Sequence, residues 1–190
     1  MKTKIRLMLK MMLTSILTVG FLQGFAQDKY FTKEGFASFF SHAPLEDIKA
    51  EHTKVGVILN TNTNELKIRM AIKGFMFEKG LMQEHFNENY MESDKYKDGS
   101  FDGTITEKID YTKDGTYSAT AKGNINIHGV ERPIEIPGKL IIEKGVIHLT
   151  TEFPVKIKDH DIKIEMSKLQ NISEEVKVSF KAELKPYVIK

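Results

Sequence analysis

Six histidines and a scatter of carboxylates are the residues of this 190-residue chain best suited to metal binding or proton transfer, since it has no cysteine. His42, His52, His85, His128, His148 and His160 show no H-x-H or H-E-x-x-H spacing that would set two imidazoles on one ion. Glu84-His85, with Glu88 one turn beyond, is the single grouping in which two carboxylates and an imidazole could share a metal. The same three residues also describe the wet face of an amphipathic helix. His128 and His148 fall in strand-like segments, where an imidazole ordinarily serves as a hydrogen-bonded structural group. Asp159 and Asp161 flank a turn, and a carboxylate pair does acid–base work only when a cleft holds it. The sequence lacks G-x-S-x-G, the phosphate-binding G-x-x-x-x-G-K-[ST] and the dinucleotide G-x-G-x-x-G. Asn171-Ile172-Ser173 matches a glycosylation sequon, a pattern too short to carry weight. The residues point away from catalysis, with a metal-dependent enzyme built on Glu84 and His85 as the alternative.

The segments that would position any site are strands. Leu66, Ile68, Met70 and Ile72 interleave with Lys67, Arg69 and Lys73, and Val176, Val178, Phe180, Ala182 and Leu184 interleave with Lys177, Ser179, Lys181, Glu183 and Lys185. Tyr117, Ala119, Ala121, Gly123, Ile125 and Ile127 alternate in the same way with polar neighbours. Period two buries one face and wets the other. About eight such strands must hide their edges, and a closed antiparallel barrel is the simplest way. Tyr30 to Phe40 reads as the first strand, with Phe36, Ser38 and Phe40 on one face. Val55 to Asn60 and Glu65 to Phe77 pair across an Asn-rich turn, a short helical turn is expected after Pro44, and further turns are expected at Asp98-Gly99, Asp114-Gly115 and Lys144-Gly145. Between Glu78 and Ser93 the spacing changes: Leu81, Met82, Phe86, Tyr90 and Met91 recur as on a helix. One helix among strands plugs or covers an open end, so its apolar face is either core or a lid over a ligand mouth.

The first 26 residues stand apart. Lys2, Lys4, Arg6 and Lys10 precede an apolar run from Met11 to Leu22, and Gly24-Phe25-Ala26 supplies small residues at a cleavage site. This is the pattern of a secretory signal peptide, and processing would leave Gln27 first. Without its four basic residues the chain has 24 Lys plus Arg against 26 Asp plus Glu, a net charge of −2. Only Arg69 and Arg132 then remain as arginines, which argues against nucleic acid as a partner. Residues 27–190 form one domain, with no disulfide to support it. A small outer-membrane barrel is the other alternative, because alternation alone does not say which face meets lipid. The many lysines of the polar faces, too many for an eight-strand lumen, oppose it, as do the lack of Trp and the ending Tyr187-Val188-Ile189-Lys190.

Two stretches carry a family resemblance. Leu81-Met82-Gln83-Glu84-His85-Phe86-Asn87-Glu88-Asn89-Tyr90-Met91 through Tyr96, followed by Ser100-Phe101-Asp102-Gly103, resembles the helical insertion of the YceI-like family. Gly123-Asn124-Ile125-Asn126-Ile127-His128-Gly129-Val130-Glu131-Arg132-Pro133-Ile134 is similar to that family's G-x-L-x-I-x-G-V-x-x-P hairpin. The chain has Lys97 where the family usually carries a proline, and it lacks the family's early G-x-F-x-x-F-x-G hairpin. The resemblance, covering about Tyr30 to Leu184, implies a closed eight-stranded, lipocalin-like all-β barrel with one short inserted helix. It further implies a periplasmic binding protein that sequesters or carries a polyisoprenoid or other long-chain lipid without catalysis.

An eight-stranded barrel either packs its interior or holds one slender ligand. Gly103, Ala119, Ala121, Gly123 and Ala182 lie on otherwise apolar faces, where they leave room for a chain or relieve strain at twisted corners. On this architecture the expected ligand contacts are Phe40, Met70, Ile72, Leu81, Met82, Phe86, Tyr90, Phe101, Tyr117, Ala121, Ile125 and Ile127. No metal and no cofactor beyond the bound lipid is expected, the protein is not expected to be membrane-embedded, and a homodimer is compatible with the sequence.

Overall fold

The structure, a computed structural model, describes residues 28–42, 47–164 and 173–187. Its strands are β1 (Lys29–Ser41), β2 (Ile48–Asn60), β3 (Glu65–Ala71), β4 (Met76–Phe77), β5 (Asp98–Ile105), β6 (Gly115–Ile127), β7 (Val130–Glu143), β8 (Val146–Lys156) and β9 (Glu175–Pro186). A short helix, α1 (Gly80–His85), runs on into a π-helical turn at Phe86–Tyr90, and 3-10 turns occupy Ile72–Gly74 and Ile157–His160. The signal-like segment, residues 43–46 of the turn expected after Pro44 and the first two residues of the sequon lie outside the described residues, and Ile48 already belongs to β2.

Eight strands close a ring. Each pairs antiparallel with the next in the order β1, β2, β3, β5, β6, β7, β8, β9, and β9 returns to β1. Closure leaves no open edge, as the alternation requires. β4 is an extra two-residue strand laid against Ala50 and Glu51 at the start of β2. The outer face carries cross-strand ion pairs, among them Lys122–Glu135 and Lys177–Glu152, both at 2.6 Å, and Arg69–Asp102, also at 2.6 Å. Exposed pairs of this kind add at most about 1 kcal/mol each, but they mark the wet side of the barrel.

Some local expectations are corrected. In β1 the register shifts between Thr32 and Gly35, and the inward residues become Gly35, Ala37, Phe39 and Ser41, so Phe40 points outward and is 41% exposed. Asp98-Gly99 and Asp114-Gly115 make no left-handed turn; Asp98 and Gly99 open β5, and Gly115 opens β6. Lys144-Gly145 does turn, at φ +50 and +75. The turn the sequence hid is His128-Gly129, at φ +55 and +75, which joins β6 to β7. His128 is therefore a turn residue rather than a strand residue. The expected strand from Glu65 to Phe77 ends at Ala71, where the 3-10 turn lifts the chain toward β4 and α1.

The two ends of the barrel differ. At the end bearing the β2–β3 and β7–β8 turns, Leu59, Leu140, Ile147 and Leu184 are fully buried and fill the lumen. Asn64 clamps this end: its amide donates to the carbonyls of Ile105 (3.2 Å) and Glu107 (3.1 Å), and its side-chain oxygen accepts the Tyr111 hydroxyl at 3.0 Å. Burial, aided by the nearby Glu107 charge, pushes the Tyr111 phenol up to about 12. The opposite end, where β3 rises into α1, is hollow.

Candidate functional site: an apolar cavity under the helix

Between the packed end and α1 the barrel encloses a cavity of about 650 Å³, within the usual range for small-molecule sites. Lateral rungs of inward side chains build its wall. Ile68, Phe101 and Ile125 face one another across β3, β5 and β6, and Phe39, Val178 and Phe153 do so across β1, β9 and β8. Gly99 lies opposite Met70, and a side chain there would sit 3.2 Å from the Ile72 Cδ1, so its smallness keeps the mouth open.

The roof is aromatic. Phe86, on the π-helical turn, stacks on Phe39 at 5.5 Å between ring centroids and meets Phe75 at 5.7 Å and Phe77 at 5.0 Å. Ring pairs of this kind contribute about 0.5–1.5 kcal/mol beyond burial and hold the helix over the lumen. Behind them, buried His52 is fully partnered: Nε2 donates to the Ala71 carbonyl at 3.0 Å, and Nδ1 accepts the Lys54 amide at 3.0 Å. The π-turn is closed by Asn87, which donates to the Gln83 carbonyl (2.9 Å) and accepts the Ser93 hydroxyl (3.0 Å).

Ten of the residues expected to touch ligand meet in this one cavity: Met70, Ile72, Leu81, Met82, Phe86, Tyr90, Phe101, Ala121, Ile125 and Ile127. Leu81 stands at the rim, 63% exposed. Phe40 lies on the outer face. Tyr117 sits toward the packed end opposite Leu140, with its hydroxyl donating to the Lys113 carbonyl at 3.1 Å. The sequence reasoning passed over Phe39, Phe75, Phe77, Phe153 and Val155, all lining residues. Phe75 and Phe77 had a signal, since they alternate with the exposed Met76. His85 reaches the cavity wall, but among the described residues no three His, Asp or Glu side chains gather as metal ligands.

A second, polar cavity of about 600 Å³ adjoins the first, and Ile162 lines both. Its inner wall is His128, whose Nδ1 lies 3.1 Å from the His160 carbonyl and Nε2 3.0 Å from the Glu92 carboxylate, with the Tyr96 ring at 4.3 Å. Each ring nitrogen thus faces an oxygen acceptor on a different turn, which ties the three turns together. Gly129 is required beside it, because a Cβ there would press to 2.5 Å on the Tyr96 ring. His160, also buried, donates from Nδ1 to the Val130 carbonyl at 3.2 Å.

Burial pushes the His160 imidazole below the ordinary histidine value, outweighing the Val130 contact. The unfolded chain then binds a proton more readily than the folded one, so this contribution to stability is complete above about pH 6.5 and declines as pH falls through that value. Melting temperatures measured between pH 7.5 and 5 should fall more steeply for the native protein than for His160→Gln. Equal slopes would refute this role.

A closed antiparallel barrel, packed at one end and hollow under a helix at the other, has a lipocalin-like architecture. The YceI-like domain model matches residues 31–184, and the chain belongs to that family. Its structure is similar to a polyisoprenoid-binding domain from Saccharophagus degradans implicated in plant cell wall breakdown, with a TM-score of 0.71 at 12% identity over 85% of this chain and 99% of that one. It is similar also to Burkholderia cenocepacia BcnA, with a TM-score of 0.65 at 12% identity over 79% of this chain and 95% of the other. The Campylobacter jejuni YceI protein gives a TM-score of 0.60 at 17% identity, over 75% and 86%. No curated protein matches the chain in sequence.

Proposed function

We propose that this protein binds one long-chain apolar molecule, a polyisoprenoid or similar lipid, in the cavity under α1, and sequesters or carries it in the periplasm without catalysing a reaction. The observation that carries this reading is the 650 Å³ apolar lumen sealed at one end and roofed by Phe86 at the other. Each methylene buried there is worth about 0.8 kcal/mol at best, so a long chain binds with few polar contacts. The fold likeness to a polyisoprenoid-binding domain supports the same ligand class. Periplasmic placement rests on the signal-like first 26 residues. The charged outer face supports a barrel surrounded by water over one surrounded by lipid, whose outer band would be apolar.

Mass spectrometry of organic extracts from protein purified out of its native envelope tests the proposal. A lipid released in about one-to-one ratio is the expected result. Protein that arrives empty and takes up no added isoprenoid or fatty-acyl chain would refute it.

A further inference from the structure

We propose that the polar cavity beside the barrel mouth receives an anionic headgroup, phosphate or carboxylate, of the molecule whose chain fills the barrel. This rests on the lipid-binding reading above. Ile162 lines both cavities, which places the polar one beside the barrel mouth, within reach of the head of a chain that ends there. Three lysines, Lys95, Lys158 and Lys163, line that second cavity. Against them stand two carboxylates, Glu92 and Asp161, and Glu92 is already engaged with His128 at 3.0 Å. Lys158 and Lys163 make no ion pair with another described residue. Three ammonium groups against two carboxylates leave a net positive wall, which an anionic oxygen group would complete.

The wall is braced, so Lys95 and Lys158 are offered from a fixed backbone. Arg132 Nε donates to the Asp159 carbonyl at 2.8 Å, and the His128 and His160 rings reach backbone carbonyls on opposite sides of the same junction. Lys95 lies over the Tyr96 ring at 4.6 Å. These contacts hold the 157–161 turn and the 92–96 turn against the β6–β7 hairpin, independently of any ligand.

The test uses delipidated protein and three probes of matched chain length: a prenyl alcohol, its monophosphate and a fatty acid. Either anionic probe should bind about tenfold or more tightly than the alcohol, the size of one good charge-assisted contact. The gain should shrink with salt and vanish in the Lys158→Gln/Lys163→Gln double variant, whose affinity for the alcohol stays unchanged. A gain for the monophosphate alone assigns phosphate, and a gain for the fatty acid as well assigns anionic oxygen in general. Equal affinity for all three probes, or a gain that survives loss of both lysines, would overturn the headgroup site while leaving the lipid cavity standing. Failure of all three to bind would instead remove the reading on which it rests.

Discussion

Ala121→Phe should empty the barrel without unfolding it. Ala121 faces inward on β6, opposite Ile105 on β5 and Ile136 on β7, and its side chain borders the lumen halfway between the packed end and the mouth. A ring placed there enters space that is unfilled by protein and stands where the chain of a ligand would pass. Excluding three or so methylenes at about 0.8 kcal/mol each weakens binding by roughly 50-fold. The fold should change little, with the melting temperature within about 4 °C of the native value, since 1 kcal/mol moves a domain of this size by about 2–4 °C. Titration with a fluorescent isoprenoid, alongside thermal unfolding, reads both quantities. Unchanged affinity with a clear drop in melting temperature would mean that the site at Ala121 is filled core and that the chain runs elsewhere.

The barrel was legible because β-strands write their burial into every second residue. β6 and β9 showed inward and outward faces without help from any partner, and the change of spacing after Glu78 marked the helix. What stayed hidden depended on single backbone angles or on distant partners. A register shift in β1 exchanges inside and outside, so Phe39 rather than Phe40 faces the lumen. Gly99 looked like a turn residue, yet it is needed for the space beside Ile72 and Met70 rather than for a positive φ. His128 was concealed in a strand pattern, although Gly129 after it offered the two-residue hairpin signal, and histidine tolerates the left-handed region better than most residues. The grouping of Glu92, His128 and His160 joins three turns far apart in sequence, and no local spacing could reveal it. Ten of the twelve expected contact residues share the cavity because they follow from alternation and from the helix face, the two periodic signals in the chain.

Two residues beyond Ala121 on the same inward face, the smallest substitution should have the opposite effect. Gly123 pairs directly with Gly103 on β5, and the two backbones approach so closely that neither position has room for a side chain. A Cβ on Gly123 would collide with the Asp102 carbonyl oxygen and the Gly103 Cα, and would lie 2.8 Å from the Asp102 carbonyl carbon. A Cβ on Gly103 would stand 2.5 Å from the Lys122 carbonyl oxygen and 2.6 Å from the Phe101 ring. The obstacles are mostly backbone, which cannot rotate aside, so Gly123→Ala must spread β5 from β6 and disturb a ladder inside a closed ring. Overpacking of a formed core costs about 1–3 kcal/mol, and backbone contact places this change at or above the top of that range. The small residues of β6 thus divide by role: Ala119 and Ala121 border the cavity, whereas Gly123 permits the strand contact that curves the wall. Chemical denaturation should show Gly123→Ala losing about 3 kcal/mol or more, with the slope against denaturant unchanged. If the variant matched the native midpoint, the two strands would have room for a methyl group, and the glycine pair would be no part of what closes the barrel.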